Sequence, residues 1–499
     1  MVQRADVIDL EGLNPPQREA VLHRDSPLVV FAGAGSGKTR VITYRIAQLV
    51  QADGVAPYRI LAVTFTNKAA GEMRARLSQL LSIGPRGLWV GTFHATCARI
   101  LREYSDRIGI RSDFTIYDDQ DQQAMVKRIL RDLKIDEKRY PPKLIAGVIN
   151  RSKQDVVAPD EMVIRDPIDD VARRVYAVYE EKMAQGGTLD FGDLLYRVVR
   201  ALEADEGFRK ELSRRFSHVL VDEFQDTNHV QWRLVHNLCR DHRSLCVVGD
   251  DDQSIYAWRG ADRRNILDFR RHFPDAHLIK LEQNYRSVQT ILHAANTLIA
   301  RNPKLHPKTL YSELGVGDPV SVTPCDDDAA EAESVVMRLQ GLKFERRSKF
   351  ADFAILYRGN YQARIVEKAL REQRIPYRIS GGQSFFEKAE IRDLIAYLRL
   401  LANEDDDPAF IRAITTPKRG VGSSTLAALG TYAGQRHLSM YAAMFETGMD
   451  SRTPARPLAE MRRFGEFINR LSHRSRNEPA AQLLDEMVAA IDYQAHLYG

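Results

Sequence analysis

The chain has 499 residues, enough for several domains with large buried cores. Its 44% hydrophobic and 28% charged residues are those of a soluble globular protein. No run of about 18 apolar residues marks a membrane span, and the opening MVQRADVIDLEG lacks the apolar centre of a signal peptide. The net charge of +5 permits a nucleic-acid partner without requiring one, and the four cysteines (Cys97, Cys239, Cys246, Cys325) form no CxxC pair, which predicts reduced thiols and a cytoplasmic protein.

In LNPPQREA, Asn14 can cap a helix with Pro15 at its first position. Gln17 is then either an exposed helical residue or an amide that reads an adenine edge. The run Leu28-Val29-Val30-Phe31 predicts a short buried strand, and VITYRIAQLV carries apolar residues at helical spacing. Between them lies AGAGSGKTR. Gly33, Gly35 and Gly37 let backbone N–H groups turn inward, with Ala34 and Ser36 between them, and the helix that follows adds partial positive charge at its N-terminus. Lys38 is placed to reach the β- and γ-phosphates of a nucleotide, and Thr39 to hold Mg²⁺ through its hydroxyl. The strict pattern asks for glycine at the first position, where this chain has Ala32.

Ile60 to Thr64 predicts a second buried strand, running into FTNKAAGEMRARL with Thr66 or Asn67 as cap. Val90 to His94 repeats the arrangement. Polar residues just beyond such strands sit where open α/β sheets bind ligands, whereas Phe65 and Phe93 could equally belong to a core. From about Asp113 to Gly187 helical patterns dominate, which predicts a helical insertion in an α/β domain. Its basic clusters, Lys127-Arg128 and Arg151-Ser152-Lys153, are solvated faces or line a DNA path. The stretch TLDFGDL, around Phe191, marks the return toward the core.

The strand Val219 to Val221 ends in Asp222-Glu223. Downstream of a phosphate loop this pair predicts a Mg²⁺ carboxylate and a group that orients or deprotonates the attacking water. Leu245 to Gly249 is a further buried strand, followed by DDDQSIYAWRGA. Gln253 is placed to sense a γ-phosphate. Tyr256, Trp258 and Arg259 follow, aromatics beside a cation that suit base stacking. A tryptophan there belongs to a core or to a surface, and its polar neighbours favour the surface. In LEQNYRS, Tyr285 can stack on a purine and Arg286 can serve as an arginine finger or as a plain surface charge.

A second α/β unit is expected from Val320, with DFAILYRGN (Asp352 to Asn360) as a strand, a helix from Tyr361 to Gln373, and then PYRISGG. Beyond Phe386 the pattern is helical, with Asp407 as the expected cap of one helix and an amphipathic helix near Leu483 to Ile491.

In this order the motifs resemble those of the UvrD/PcrA/Rep family of superfamily-one DNA helicases. The resemblance runs through AGAGSGKTR, VTFTNKAAGEMR, WVGTFHATCARILR, VDEFQDTN, VGDDDQSIYAWRGA, LEQNYRS, AILYRGN, PYRISGG with SFFE, and EIRDLIAYLRLLAN. It implies an α/β fold of two RecA-like P-loop NTPase cores, parallel sheets flanked by helices, each with a helical insertion. Its domain plan is a first core over 1–91 and 216–282, a helical insertion over 92–215, the N-terminal part of a second core over 283–380, and a second helical insertion over 381–499. The family's later motif, roughly T-x-H-x-A-K-G-L-E, and its second arginine finger do not occur in these residues, so the second core is expected to be incomplete.

The resemblance also implies roles. Gln17 matches an adenine-reading glutamine, and Arg40 and Tyr285 match the pair that sandwiches the base. Lys38, Thr39, Asp222, Glu223, Gln253 and Arg286 match the phosphate, metal, water, sensor and finger positions for ATP and Mg²⁺. Phe65, Phe93, His94, Phe191, Tyr256, Trp258 and Arg259 match a single-stranded DNA track, continued on the second core by Tyr357, Arg358 and Asn360. The implied activity is 3′ to 5′ translocation on single-stranded DNA and unwinding of 3′-tailed duplex, in excision repair, mismatch repair or replication restart. A monomer or weak homodimer, cytoplasmic and nucleoid-associated, with repair-protein partners, is expected. The competing expectations are a nucleotide-gated single-strand binder without unwinding, and a fragment that only occupies a partner protein.

Overall fold

The structure is a computed structural model, and it describes residues 8–81, 87–304, 306–379, 388–436 and 438–498. Contacts divide the chain into two compact units, 1–317 with 396–492, and 318–395 with 493–499.

The first unit is built on a six-stranded sheet. Its strands are β1 (Leu28–Ala32), β2 (Ile60–Thr64), β3 (Trp89–Thr92), β6 (His218–Val221), β7 (Leu245–Gly249) and β8 (His277–Leu281); a separate pair, β4 (Thr115–Tyr117) and β5 (Thr188–Asp190), lies in the insertion. The strand order is β3-β2-β6-β7-β1-β8 and every pairing is parallel. All five residues of β1, β2 and β7 are buried, as parallel strands covered on both faces require. The two faces have separate cores. Val29, Phe31, Leu61, Val63, Val219 and Val221 face one. Leu28, Val30, Ala32, Ile60, Ala62 and Leu220 face the other, against Val41, Ile42 and Ile46 of the helix Lys38–Gln51.

Because all six strands run the same way, their C-terminal ends share one edge. The glycine loop follows β1, Phe65 follows β2, His94 follows β3, Asp222 follows β6, Asp250 follows β7 and Glu282 follows β8. Motifs scattered over more than half the chain are thereby gathered at the crevice where such sheets bind ligands.

The insertion expected between β3 and β6 is helical, with a core of its own in which Val126, Ile129, Ile149, Val175, Tyr176 and Tyr179 are fully buried. Against it, within the same unit, pack helices from 396–492. Arg399 bonds Asp121 at 2.6 Å and Asp406 at 2.8 Å, and Asn403 donates to the Gly186 carbonyl at 2.9 Å. Asp406, not Asp407, caps the helix Asp407–Thr415 by accepting from the Ala409 amide. Residues 283–317, placed by motif order in the second core, belong to the first unit.

The second unit corrects one expectation. Helices Asp328–Glu345 and Ala363–Glu372 pack through Ala332, Val336, Leu339, Ala369 and Leu370. DFAILYRGN, expected as a strand, starts in the 3-10 turn Phe350–Asp352 and ends in the 3-10 turn Asn360–Gln362, and among the described residues of this unit no strand forms. Phe353 and Ile355 turn toward the helices while Leu356 stands 92% exposed. The alternation of a strand is present, but alternation alone does not supply the ladder partner that defines one. PYRISGG and SFFE run into residues 380–387, outside the described residues.

Candidate nucleotide site and aromatic rail

The loop after β1 is shaped by its glycines. Gly35 and Gly37 have φ of 69° and 90°, a left-handed conformation open to glycine at little cost. A Cβ on Gly35 would lie 2.5 Å from Asn284 Nδ2 and 2.8 Å from Arg286 Cβ. The loop closes on itself where Ser36 Oγ donates to the Gly33 carbonyl at 2.7 Å. Asn284 donates to the Ala34 carbonyl at 2.6 Å and accepts from the amides of Arg286 and Ser287 at 2.8 and 2.7 Å. The motif that carries the expected finger is therefore anchored to the phosphate loop, with Arg286 itself exposed.

Lys38 opens the helix behind the loop, and its Nζ lies 2.8 Å from Glu223 Oε2. The backbone at Glu223 is left-handed (φ 51°), a strain of about 1–2 kcal/mol that turns the side chain toward the lysine. Asp222 sits just before it, buried, accepting from the Glu223 amide at 3.0 Å. Burial, and next the Glu223 charge, push its carboxyl up to about 7. Asp226, also buried, is pushed up to about 6 by burial and by Glu223. Three carboxyl groups, Asp222, Glu223 and Asp226, face one lysine here, and Thr39 follows it in the chain with a hydroxyl. An oxygen-only donor set with surplus negative charge fits a hard divalent cation.

The raised carboxyl has a measurable consequence. An unfolded aspartate ionises near pH 4, whereas folded Asp222 keeps its proton to about 7. Its burial is therefore harmless below the unfolded value and increasingly destabilising as pH rises to 7. Asp222→Asn, which retains an oxygen for the Glu223 amide, should raise nucleotide-free stability by on the order of 2–4 kcal/mol at pH 8. Thermal melts between pH 4.5 and 8 should show the gain shrinking toward acid.

Gln17 is not the exposed helical residue one reading allowed. It is buried, its Nε2 donating to the Ser36 carbonyl at 2.8 Å and its Oε1 accepting from the Asn14 amide at 3.2 Å. One N–H and one lone pair remain on the amide for a base. Tyr285 stands beside it, accepting from Asn14 Nδ2 and donating to Gln283 Oε1, both at 2.9 Å. The Arg40 guanidinium lies over the Tyr44 ring at 5.4 Å.

Aromatic residues gather in two groups, one of them built from residues that follow β2 and β7 and the other around the residue that follows Phe93. The Phe65 and Tyr256 rings stack at 5.2 Å, and Tyr256 meets Trp258 at 6.4 Å. Trp258 is 73% exposed, which settles it on the surface. His94 meets the half-exposed Phe191 edge to face at 6.0 Å. Phe93 is a correction: it is buried with Cys97, Ile100 and Leu194 in the core, because the first position of its helix faces the sheet. Its burial fits the core reading that the sequence also allowed. The Arg259 side chain lies outside the described residues. Tyr357, half-buried, and the exposed Arg358 and Asn360 belong to the second unit.

Several residues that build the site carried no sequence expectation. Gln225, fully buried, donates to Glu223 Oε2 at 2.9 Å and accepts from the Asp250 amide at 2.9 Å. Asp250 in turn accepts from Gln253 Nε2 at 2.5 Å. Gln225 lies two residues beyond an Asp-Glu pair, which was its one signal.

A glycine loop on a parallel sheet, facing a strand-end Asp-Glu pair, defines a P-loop NTPase. Residues 13–274 match the model of the UvrD/REP helicase N-terminal domain and residues 279–450 that of the UvrD-like helicase C-terminal domain. The chain belongs to this helicase family. It is 41% identical over 490 residues to the ATP-dependent DNA helicase PcrA of Bacillus subtilis, covering 98% of this chain and 66% of that protein. It is 42% identical over 489 residues to the ATP-dependent DNA helicase Rep of Escherichia coli, covering 97% of this chain and 72% of Rep. Over 437 residues it is 46% identical to the ATP-dependent DNA helicase UvrD1 of Mycobacterium tuberculosis, covering 85% of this chain and 57% of UvrD1. The chain thus spans about two thirds of the length of the first two relatives. Among the described residues no helix is long and apolar enough to cross a membrane.

Proposed function

We propose that this chain hydrolyses ATP to move along single-stranded DNA in the 3′ to 5′ direction and to open duplex ahead of it, in DNA repair or replication restart. One observation carries the reading: the candidate phosphate sensor, the half-buried Tyr256 and the exposed Trp258 sit on one short segment. Gln253 is tied to Asp250 at 2.5 Å, and the Tyr256 and Trp258 rings follow within five residues. A change in the segment on nucleotide binding reaches the DNA face directly.

The residues divide the work by position. The amides of Gly35 to Lys38 cradle the phosphates, and the Lys38 ammonium leaves Glu223 for the β- and γ-oxygens. A divalent cation, Mg²⁺ by the chemistry of its donors, supplies charge neutralisation there, and Thr39 and Asp222 would hold it. Glu223, released from Lys38, accepts a proton from the water that attacks the γ-phosphorus. The new P–O bond forms as the bridging bond to ADP breaks, and Arg286 lies at the loop to meet the charge that develops. Gln17, Arg40 and Tyr285 surround the base. Phe65, His94, Phe191, Tyr256 and Trp258 stack or flank nucleobases, and Tyr357, Arg358 and Asn360 are the proposed contacts of the second unit.

A second reading, a nucleotide-gated single-strand binder that does not unwind, draws on the same nucleotide site and aromatic residues. Phosphate release with and without single-stranded DNA, followed by displacement of a strand from 3′-tailed duplex, tests both. DNA-stimulated hydrolysis with displacement supports the motor. Nucleotide-dependent DNA affinity without displacement supports the binder. Displacement from 5′-tailed duplex alone would refute the direction.

Trp258→Ala should weaken single-strand binding by about 1–3 kcal/mol, and by a similar amount for every sequence, because stacking reads no base edge. Fluorescence anisotropy with oligo(dT) and a mixed-sequence strand measures both. Unchanged affinity would remove Trp258 from the DNA face.

A further inference from the structure

After the helix Gln289–Ile299 the chain returns across the edge of the sheet. This return is pinned at several points. The Leu310 side chain covers Gly33, where an added Cβ would fall 2.1 Å from Leu310 Cδ2. The His306 ring lies 4.5 Å from that of Phe31, and Lys280 Nζ donates to the Pro307 carbonyl at 2.6 Å. Between these anchors Lys308 points into the loop after β7. Its Nζ lies 2.9 Å from Asp250 Oδ1, 2.5 Å from Asp251 Oδ1 and 2.9 Å from Asp252 Oδ2, with its side chain almost wholly buried.

Three successive carboxylates on one loop repel each other strongly at these separations. Lys304, 3.7 Å from Asp252, adds a weaker cation. Lys308 is therefore the group that holds them together. The Asp250 carboxylate it grips is the same one that accepts from Gln253 Nε2, and the Asp250 amide is held by Gln225, which holds Glu223, which holds Lys38. An unbroken line of contacts thus runs from the phosphate loop to Lys308.

We propose that Lys308 is a positioning residue of the nucleotide site: by fixing Asp250 it holds Gln253 in the pose that distinguishes ATP from ADP. The proposal rests on the reading of this site as an ATP site. Without Lys308 the three carboxylates lose their buried counter-charge, Asp250 Oδ1 keeps only the Asp252 amide at 3.2 Å, and the acceptor of Gln253 is no longer pinned. The amides of the phosphate loop, which hold the α- and β-phosphates, are left intact. The loss should fall on recognition of the γ-phosphate and not on nucleotide binding as such.

The test compares the full chain with Lys308→Met, Lys308→Arg and the charge-balanced Lys308→Met/Asp251→Asn. Calorimetry with Mg²⁺ gives the affinity for ADP and for a non-hydrolysable ATP analogue, and thermal melting reports the fold. We expect Lys308→Met to keep ADP affinity within twofold while its preference for the analogue falls at least fivefold. The double variant should regain the melting temperature without regaining that preference, and Lys308→Arg should restore it to within twofold of wild type. A double variant with wild-type preference would overturn the proposal, since Lys308 would then only relieve charge. Unfolding of both methionine variants would also overturn it, because the lysine would be holding the fold. A wild-type chain that binds neither nucleotide overturns the ATP reading and this inference with it, whereas discrimination that survives in every variant overturns the inference alone.

Discussion

Lys38→Ala should abolish DNA-stimulated ATP hydrolysis, a loss of about a thousandfold, while leaving the chain folded. The magnitude follows from removing a full positive charge aimed at the γ-phosphate in a partly buried site, where one preorganised donor alone is worth about 10²–10³. The fold should tolerate the change because the lysine's partner has others. Glu223 still accepts from Gln225 at 2.9 Å. The Lys38 charge also holds down the carboxyls of Asp222 and Asp226. Without it both acids keep their protons to higher pH, so the carboxylate cluster discharges by proton uptake and the chain need not unfold. Phosphate release at saturating oligo(dT), read beside circular dichroism, separates the outcomes. An active variant would mean that the loop does not cradle phosphate, and an unfolded one that the lysine is structural.

What could be read in the chain and what could not divide along a physical line. The phosphate loop, the Asp-Glu pair and the strands that carry them are local: a buried apolar run, then the polar residues whose chemistry is needed, all within ten residues. Five of the six strands of the first sheet therefore fell within the sequence's own signals, whereas β8 (His277–Leu281), whose end runs into LEQNYRS, carried no strand expectation. Gln17 was half legible, because its place ahead of the loop can be seen in sequence but its burial against Ser36 cannot. Phe93 and Phe65 follow equivalent strands with equivalent patterns, yet one is core and the other stacks on Tyr256. The difference is set by which helix face meets the sheet, a tertiary fact. Lys308 gave no signal at all: a lone lysine in a loop, it acquires meaning only from carboxylates more than fifty residues away. In the second unit the alternating pattern of DFAILYRGN was read as a strand, but a strand is a pairing, and its partner is not encoded in its own residues.

Glu223→Gln should produce the second large effect and a different one. The substitution preserves shape and keeps an oxygen for Lys38 Nζ and for Gln225 Nε2, which now meet Glu223 Oε2 at 2.8 and 2.9 Å. What it removes is the ability to take a proton from the attacking water, a contribution of about 10²–10⁴ in rate. Turnover should fall by that factor with nucleotide affinity nearly unchanged, the reverse of a lesion in the cradle. Loss of the negative charge also frees Lys38 for the phosphates, so ATP affinity should hold steady or rise. The variant should then stay in its ATP-bound state, and its grip on single-stranded DNA should become ATP-dependent and long-lived. Single-turnover hydrolysis beside anisotropy with labelled oligo(dT) measures both. Turnover within threefold of wild type would move the proton acceptor elsewhere. Asp226 is the group to examine then, since Gln225 Nε2 donates to Asp226 Oδ2 at 3.3 Å as well as to Glu223 at 2.9 Å, and in the wild-type chain burial and the Glu223 charge push the Asp226 carboxyl up to about 6.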